Sequence, residues 1–154
     1  MDTPRPTEAH RALTRLAGEW SGEETLFPSP WMPEGGSARA RISARVALDG
    51  FAVISDYEQE VDGAVTYAGH GIWTVEQRTD ECVLHWLDSL GMGLETFRGM
   101  WDGDVVSVVS RNPMGYARLT YDLSTDDALR VRMESSEDAR EWSPMFEGTY
   151  RRHE

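Results

Sequence analysis

Residues 67–103, YAGHGIWTVEQRTDECVLHWLDSLGMGLETFRGMWDG, decide the fold. Three apolar-rich runs stand there, separated by the turn residues Arg78-Thr79-Asp80-Glu81 and Gly91-Met92-Gly93. Side chains of a strand point to alternate faces, so residues two apart share a face. Over 64–76 this puts Val65, Tyr67, Trp73 and Val75 on one face with Gly69 and Gly71, and Thr66, His70, Thr74 and Glu76 on the other. Glycines on an inward face leave space in a lumen or permit a sharp bend, where a filled core would want side chains. The next run, 82–90, aligns Leu84, Trp86, Asp88 and Leu90, so a large ring and a carboxylate occur together on a face that should look inward.

Working outward, the same pattern repeats. Between residues 37 and 48, Ala40, Ile42, Ala44, Val46 and Leu48 alternate with Arg39, Arg41, Ser43 and Arg45. Asp49-Gly50 and Asp62-Gly63 read as two-residue hairpin turns, with a strand at 51–61 between them. Beyond residue 90 the spacing predicts strands at 94–101, 105–110, 116–123, 128–135 and 142–152, with turns at Asp102-Gly103, at 112–115, at 124–127 and around Glu137-Asp138. A strand at 19–27 precedes the Pro/Gly-rich loop 28–36, whose Trp31 and Met32 read either as a plug over one end of the fold or as a lid over a ligand. Residues 7–17 predict one short helix, with Thr7 as N-cap, Leu13 and Leu16 on its apolar face and Gly18 as its stop. Ten short strands joined by tight turns do not form a parallel sheet, which needs long crossovers. An up-and-down antiparallel β-barrel removes the exposed edges and is the expected all-β fold, one domain over 1–154; a two-sheet sandwich is the competitor.

Composition narrows the function classes. The chain has 154 residues, a net charge of −12 and fifteen basic residues, every one of them arginine. Such a chain is repelled by phosphate backbones and anionic lipid, so neither nucleic acid nor membrane is an expected partner. Six Trp, five Tyr and four Phe suffice to line a cavity as well as to fill a core. Cys82 is the only cysteine, and no Cys/His spacing suggests a metal site. The first thirteen residues show no apolar leader, and a cytoplasmic location is expected.

Gly18-Glu19-Trp20 at the helix–strand junction resembles the Gly-x-Trp signature of lipocalin-like (calycin) barrels, in which the Trp closes the barrel bottom near an Arg of the last strand. Arg151 and Arg152 stand at that end of the chain. Gly69-His70-Gly71, Trp86-Leu87-Asp88-Ser89, 99–103 and Tyr150-Arg151-Arg152 are similar to the landmarks of a bacterial family of lipocalin-like domains of unknown function. This resemblance implies a barrel of eight to ten strands around a cavity and supplies no ligand or reaction. More distantly the chain resembles nitrobindin and fatty-acid-binding-type barrels. Nitrobindins hold haem through a His near the chain end; the last predicted strand here has none and His153 lies in a tail, so no cofactor is expected, haem included.

Strand parity gives the candidate site: Tyr57, Tyr67, Trp73, Trp86, Phe97, Leu119, Tyr121, Val131 and Met133 lining a lumen, with Asp88 as the one charge on the inner face. His70 and His85 point away from it. Asp88 reads either as a structural acceptor for a Trp N–H, an Arg or a turn amide, or as a carboxylate that anchors a ligand or acts as acid or base. The expected function is binding of a small, largely apolar molecule. One alternative is a cyclase or isomerase of the same shape, with Asp88 or a lumenal Tyr as proton carrier. Another is a ligand-free interaction module, in which Trp31, Met32 or Trp142 would mark a homodimer face. Hydrolase, NTPase and dinucleotide-binding motifs are absent.

Overall fold

A computed structural model describes residues 3–30 and 32–153. The role expected of Trp31 lies outside the described residues. The ten strands are β1 (Gly18–Leu26), β2 (Gly36–Ala47), β3 (Ala52–Val61), β4 (Ala64–Val75), β5 (Cys82–Asp88), β6 (Glu95–Asp102), β7 (Val105–Asn112), β8 (Gly115–Asp122), β9 (Ala128–Ser136) and β10 (Ser143–His153). Each pairs antiparallel with its sequence neighbours, and β1 pairs with β10, which closes the sheet into a barrel and rules out the sandwich. Closure leaves no edge strand to be blunted.

The helix is shorter than the predicted 7–17 span. It covers α1 (Glu8–Leu13) and is followed by a single 3-10 turn, Thr14–Leu16. The Thr7 backbone N–H donates to His10 Nδ1 at 3.0 Å, satisfying an N-terminal donor. Leu13 and Leu16 are buried and plug one end of the barrel. Trp20 sits under this plug, its indole N–H donating to Leu16 O at 3.0 Å. Arg152, opposite Trp20 in the β1–β10 register, lays its guanidinium over the ring at 4.2 Å and donates to Ala17 O and Arg15 O at 2.7 and 3.1 Å. The first strand, the helix exit and the chain end are thus tied at one point, and of the two candidate arginines it is Arg152 that makes the tie.

The half of the barrel nearer α1 is filled. Trp20, Val53, Trp73, Leu84, Val106 and Leu129 pack there as one apolar cluster. Trp73, expected in the lumenal wall, stands edge-on to Tyr121 at 5.1 Å within this packed half and does not border the cavity. Its face follows parity; its depth is set by the helical plug.

Three further expectations are corrected. Asp49-Gly50 is not a two-residue hairpin: β2 and β3 are joined by residues 48–51, with Leu48 and Asp49 both at positive φ (53° and 57°). The longer connection brings Phe51 edge-on to His10 at 5.1 Å, docking the helix. Val46 and Leu48, expected on the dry face, are exposed. Val65 is also exposed, because a bulge opposite Gln59/Glu60 inserts one residue between Val65 and Tyr67 and turns Val65 outward. The turn after β6 is Gly103-Asp104, one residue later than expected, whereas Asp62-Gly63 is the predicted tight turn, with both residues at positive φ.

Candidate functional site

At the end away from α1 the barrel holds an open cavity of about 470 Å3. Nine of the ten residues expected around a lumen border it: Tyr57, Tyr67, Trp86, Asp88, Phe97, Leu119, Tyr121, Val131 and Met133, with Trp73 the exception. Ile42, Met145, Phe146 and Tyr150 complete much of the apolar wall, and Leu26, Phe27, Met32 and Leu90 stand toward the mouth.

Gly69 and Gly71 explain how Trp86 fits, and the space they make is not empty. The indole of Trp86 lies across both: a Cβ on Gly69 would fall inside the ring, nearest Cζ2, and one on Gly71 would sit 3.1 Å from Cε3. The pair is a cradle that lets a large ring lie flat against the strand. Gly69→Ala should therefore expel the indole from its seat and cost about 1–3 kcal/mol, the usual range for overpacking. A fall in the urea midpoint together with altered Trp near-ultraviolet dichroism checks this; an unchanged midpoint would remove the cradle from the account.

The seated indole donates to Asp88 Oδ2 at 2.9 Å, the Tyr67 hydroxyl donates to the same oxygen at 2.7 Å, and the Leu90 N–H donates to Oδ1 at 3.0 Å. Asp88 thus does hold a Trp N–H and a turn amide, the structural role foreseen for it, and it does so at the cavity wall. Tyr57 packs edge-on to Tyr67 at 5.9 Å and tilted to Trp86 at 6.3 Å, so three rings gather beside the carboxylate. Burial, and then hydrogen bonding to Asp88, raise the Tyr67 hydroxyl well above its ordinary value.

Asp88 is not the one inner charge. Glu24 on β1 is 1% exposed and lies at the centre of a hydrogen-bond cluster that parity arguments missed. The Tyr57 hydroxyl is 2.6 Å from both its oxygens, the Tyr150 hydroxyl donates to Oε2 at 2.6 Å, and Gln59 Nε2 donates to Oε1 at 3.1 Å. The cluster joins β1, β3 and β10 under the cavity. Burial first and Glu24 second push both phenols far above their ordinary value. Glu95 is a third inner carboxylate, directly across from Trp86, and accepts from Ser110 Oγ at 2.9 Å. The usable signal for Glu24 was its place four residues beyond Trp20, on the same strand face.

The histidines stand elsewhere. His10 is a buried residue of α1 itself, His70 pairs with Asp56 at 2.7 Å, and His85 faces Thr74 at 3.4 Å. His153 is the last residue of β10 rather than a tail residue, and bonds to Ser21. Among the described residues no imidazole borders the cavity, so the donors do not fit a haem held by an axial His. No three His, Cys, Asp or Glu among them gather to hold a metal ion. No helix there is long and apolar enough to cross a membrane.

The crystal structure of Rv2717c from M. tuberculosis is similar to this barrel, with a TM-score of 0.76 and 16% identity over 97% of this chain and 100% of that one. At that identity the likeness is one of fold. No curated protein matches the chain. A family model matches residues 5–152, nearly the whole barrel with its helix, and the chain belongs to that family, described as protein of unknown function (DUF1579).

Proposed function

We propose that this protein binds one small, largely apolar molecule in the barrel lumen. The observation that carries the reading is the cavity of about 470 Å3, open at one end and walled mainly by aromatic and aliphatic side chains with a few convergent polar groups. Ligand pockets of about 300–1,000 Å3 with this mixture are the common case. A packed β-barrel has no need of such a void, because unfilled space near large side chains forfeits dispersion contacts. Leu90, Met92, Leu94 and Met114, all more than 60% exposed, occur on the turns at the open end, where an apolar rim favours entry of an apolar guest. The Trp20–Arg152 closure at the opposite end supports reading the barrel as calycin-like.

Nile red, an uncharged dye whose emission rises in apolar surroundings, tests the reading. The protein should bind it with one saturable site per chain and quench part of its own Trp emission as Trp86 is covered. A non-saturating rise, or none, would set the proposal aside.

A further inference from the structure

The polar groups around the cavity have a marked sign. Asp88 and Glu95 border it, and Glu24 lies beneath it. Among the described residues no Arg or His borders it, and the chain contains no lysine. The chain as a whole carries −12, so the field at the mouth has the same sign as the field inside. A guest with a carboxylate, sulfate or phosphate head would meet like charge with no cation to pair with, which is a strongly unfavourable juxtaposition in a partly desolvated site.

The three rings beside Asp88 favour the opposite charge. Tyr57, Tyr67 and Trp86 gather with centroids 5.9 and 6.3 Å apart, and the faces of such rings carry negative electrostatic potential. An aromatic group backed by a carboxylate is the arrangement that recognises ammonium and quaternary ammonium heads. Asp88 already accepts from Tyr67, Trp86 and Leu90, and a carboxylate has about four lone-pair sites, so one remains for a guest. Its hydrogen bonds hold it in place without an ordering step on binding. Glu95, across from Trp86, supplies a second negative group on the neighbouring strand.

Resting on the lumenal-binding reading above, we infer that the guest is a cationic amphiphile: an apolar body in the aliphatic part of the cavity and an ammonium head against Tyr57, Tyr67, Trp86 and Asp88. The site selects against fatty acids and other anionic amphiphiles.

Three chain-matched competitors separate the possibilities: dodecyltrimethylammonium, dodecanol and dodecanoate, each displacing Nile red below its micelle threshold. The ammonium compound should bind tightest and the alcohol next, with the carboxylate weaker than the ammonium by about a hundredfold, the scale of a few kcal/mol of charge mismatch. Asp88→Asn and Glu95→Gln should each shrink the gap between ammonium and carboxylate by about tenfold, while dodecanol affinity moves less. Equal or tighter binding of dodecanoate overturns the inference and leaves lumenal binding standing. A preference that persists undiminished in both variants places its origin in the overall charge and also overturns it. If neither the dye nor any competitor binds, lumenal binding itself fails, and the inference with it.

Discussion

Glu24→Ala is expected to cost about 3–5 kcal/mol of stability, a large share of the ~5–15 kcal/mol that holds a domain of this size folded. The side chain is buried, and the Tyr57 and Tyr150 hydroxyls and the Gln59 amide all donate to it. Removing the acceptor strands two buried phenols, each at a cost of roughly 1–3 kcal/mol before relaxation, and leaves a void where the carboxylate was. Gly148 adds to the effect. A Cβ there would clash with the Tyr150 hydroxyl, so the bare strand leaves room for that hydroxyl to reach Glu24. Glu24→Gln preserves the volume and one acceptor oxygen and should lose only about 1–2 kcal/mol. Urea denaturation reads both, as a lower midpoint at unchanged slope. A Glu24→Ala protein as stable as the parent would show that the cluster contributes nothing to holding β1, β3 and β10 together.

The second large effect is alkaline lability. Tyr57, Tyr67, Tyr121 and Tyr150 all have hydroxyls raised above the ordinary value of 10.0, chiefly through burial and, for all but Tyr121, through a carboxylate partner as well. Folding holds these protons more tightly than the unfolded chain does. Below pH 10 both states are protonated and the four groups leave stability independent of pH. Above it the unfolded chain releases protons that the folded one retains, so stability falls as pH rises. Each group contributes about 1.4 kcal/mol per pH unit, and four together roughly 5–6 kcal/mol per unit. The barrel should therefore lose its fold cooperatively between about pH 10 and pH 12. Phenolate absorbance and circular dichroism followed on one titration check this: most of the phenolate signal should appear in the same step as the loss of structure. Smooth ionisation centred near pH 10 in a protein that stays folded would contradict the burial of these hydroxyls.

The ten strands were legible because their signals are local. Alternation in 37–45 and the Asp62-Gly63 dipeptide are settled by neighbours in sequence, and the barrel follows once tight turns join every pair. Depth was not legible. Trp73 and Trp86 occupy the same face of adjacent strands, yet one is sealed in the packed half and the other borders the cavity, because the helical plug fills only one end. Glu24 was missed for a different reason. Around it, Ser21-Gly22-Glu23-Glu24-Thr25 is polar on both faces, so Trp20 alone marks the inward face, and its partners Tyr57 and Tyr150 lie 33 and 126 residues away. The bulge that turns Val65 outward likewise depends on pairing with Gln59 and Glu60, across the hairpin. Asp88 stands between these cases: its place at the inner wall follows from parity, whereas its three donors follow from the way Gly69 and Gly71 seat the Trp86 ring.

The central claim, that the cavity is the binding site, is tested most directly by titrating Nile red into the parent protein and into Leu119→Trp side by side. Leu119 borders the cavity from β8, away from the Trp20–Arg152 closure, and a tryptophan there would occupy much of the open volume. The account predicts one saturable site per chain in the parent and at least a tenfold loss of affinity in the variant, with the circular dichroism of the barrel retained. Equal affinity in parent and variant, with both folded, would place the dye outside the lumen and contradict the account.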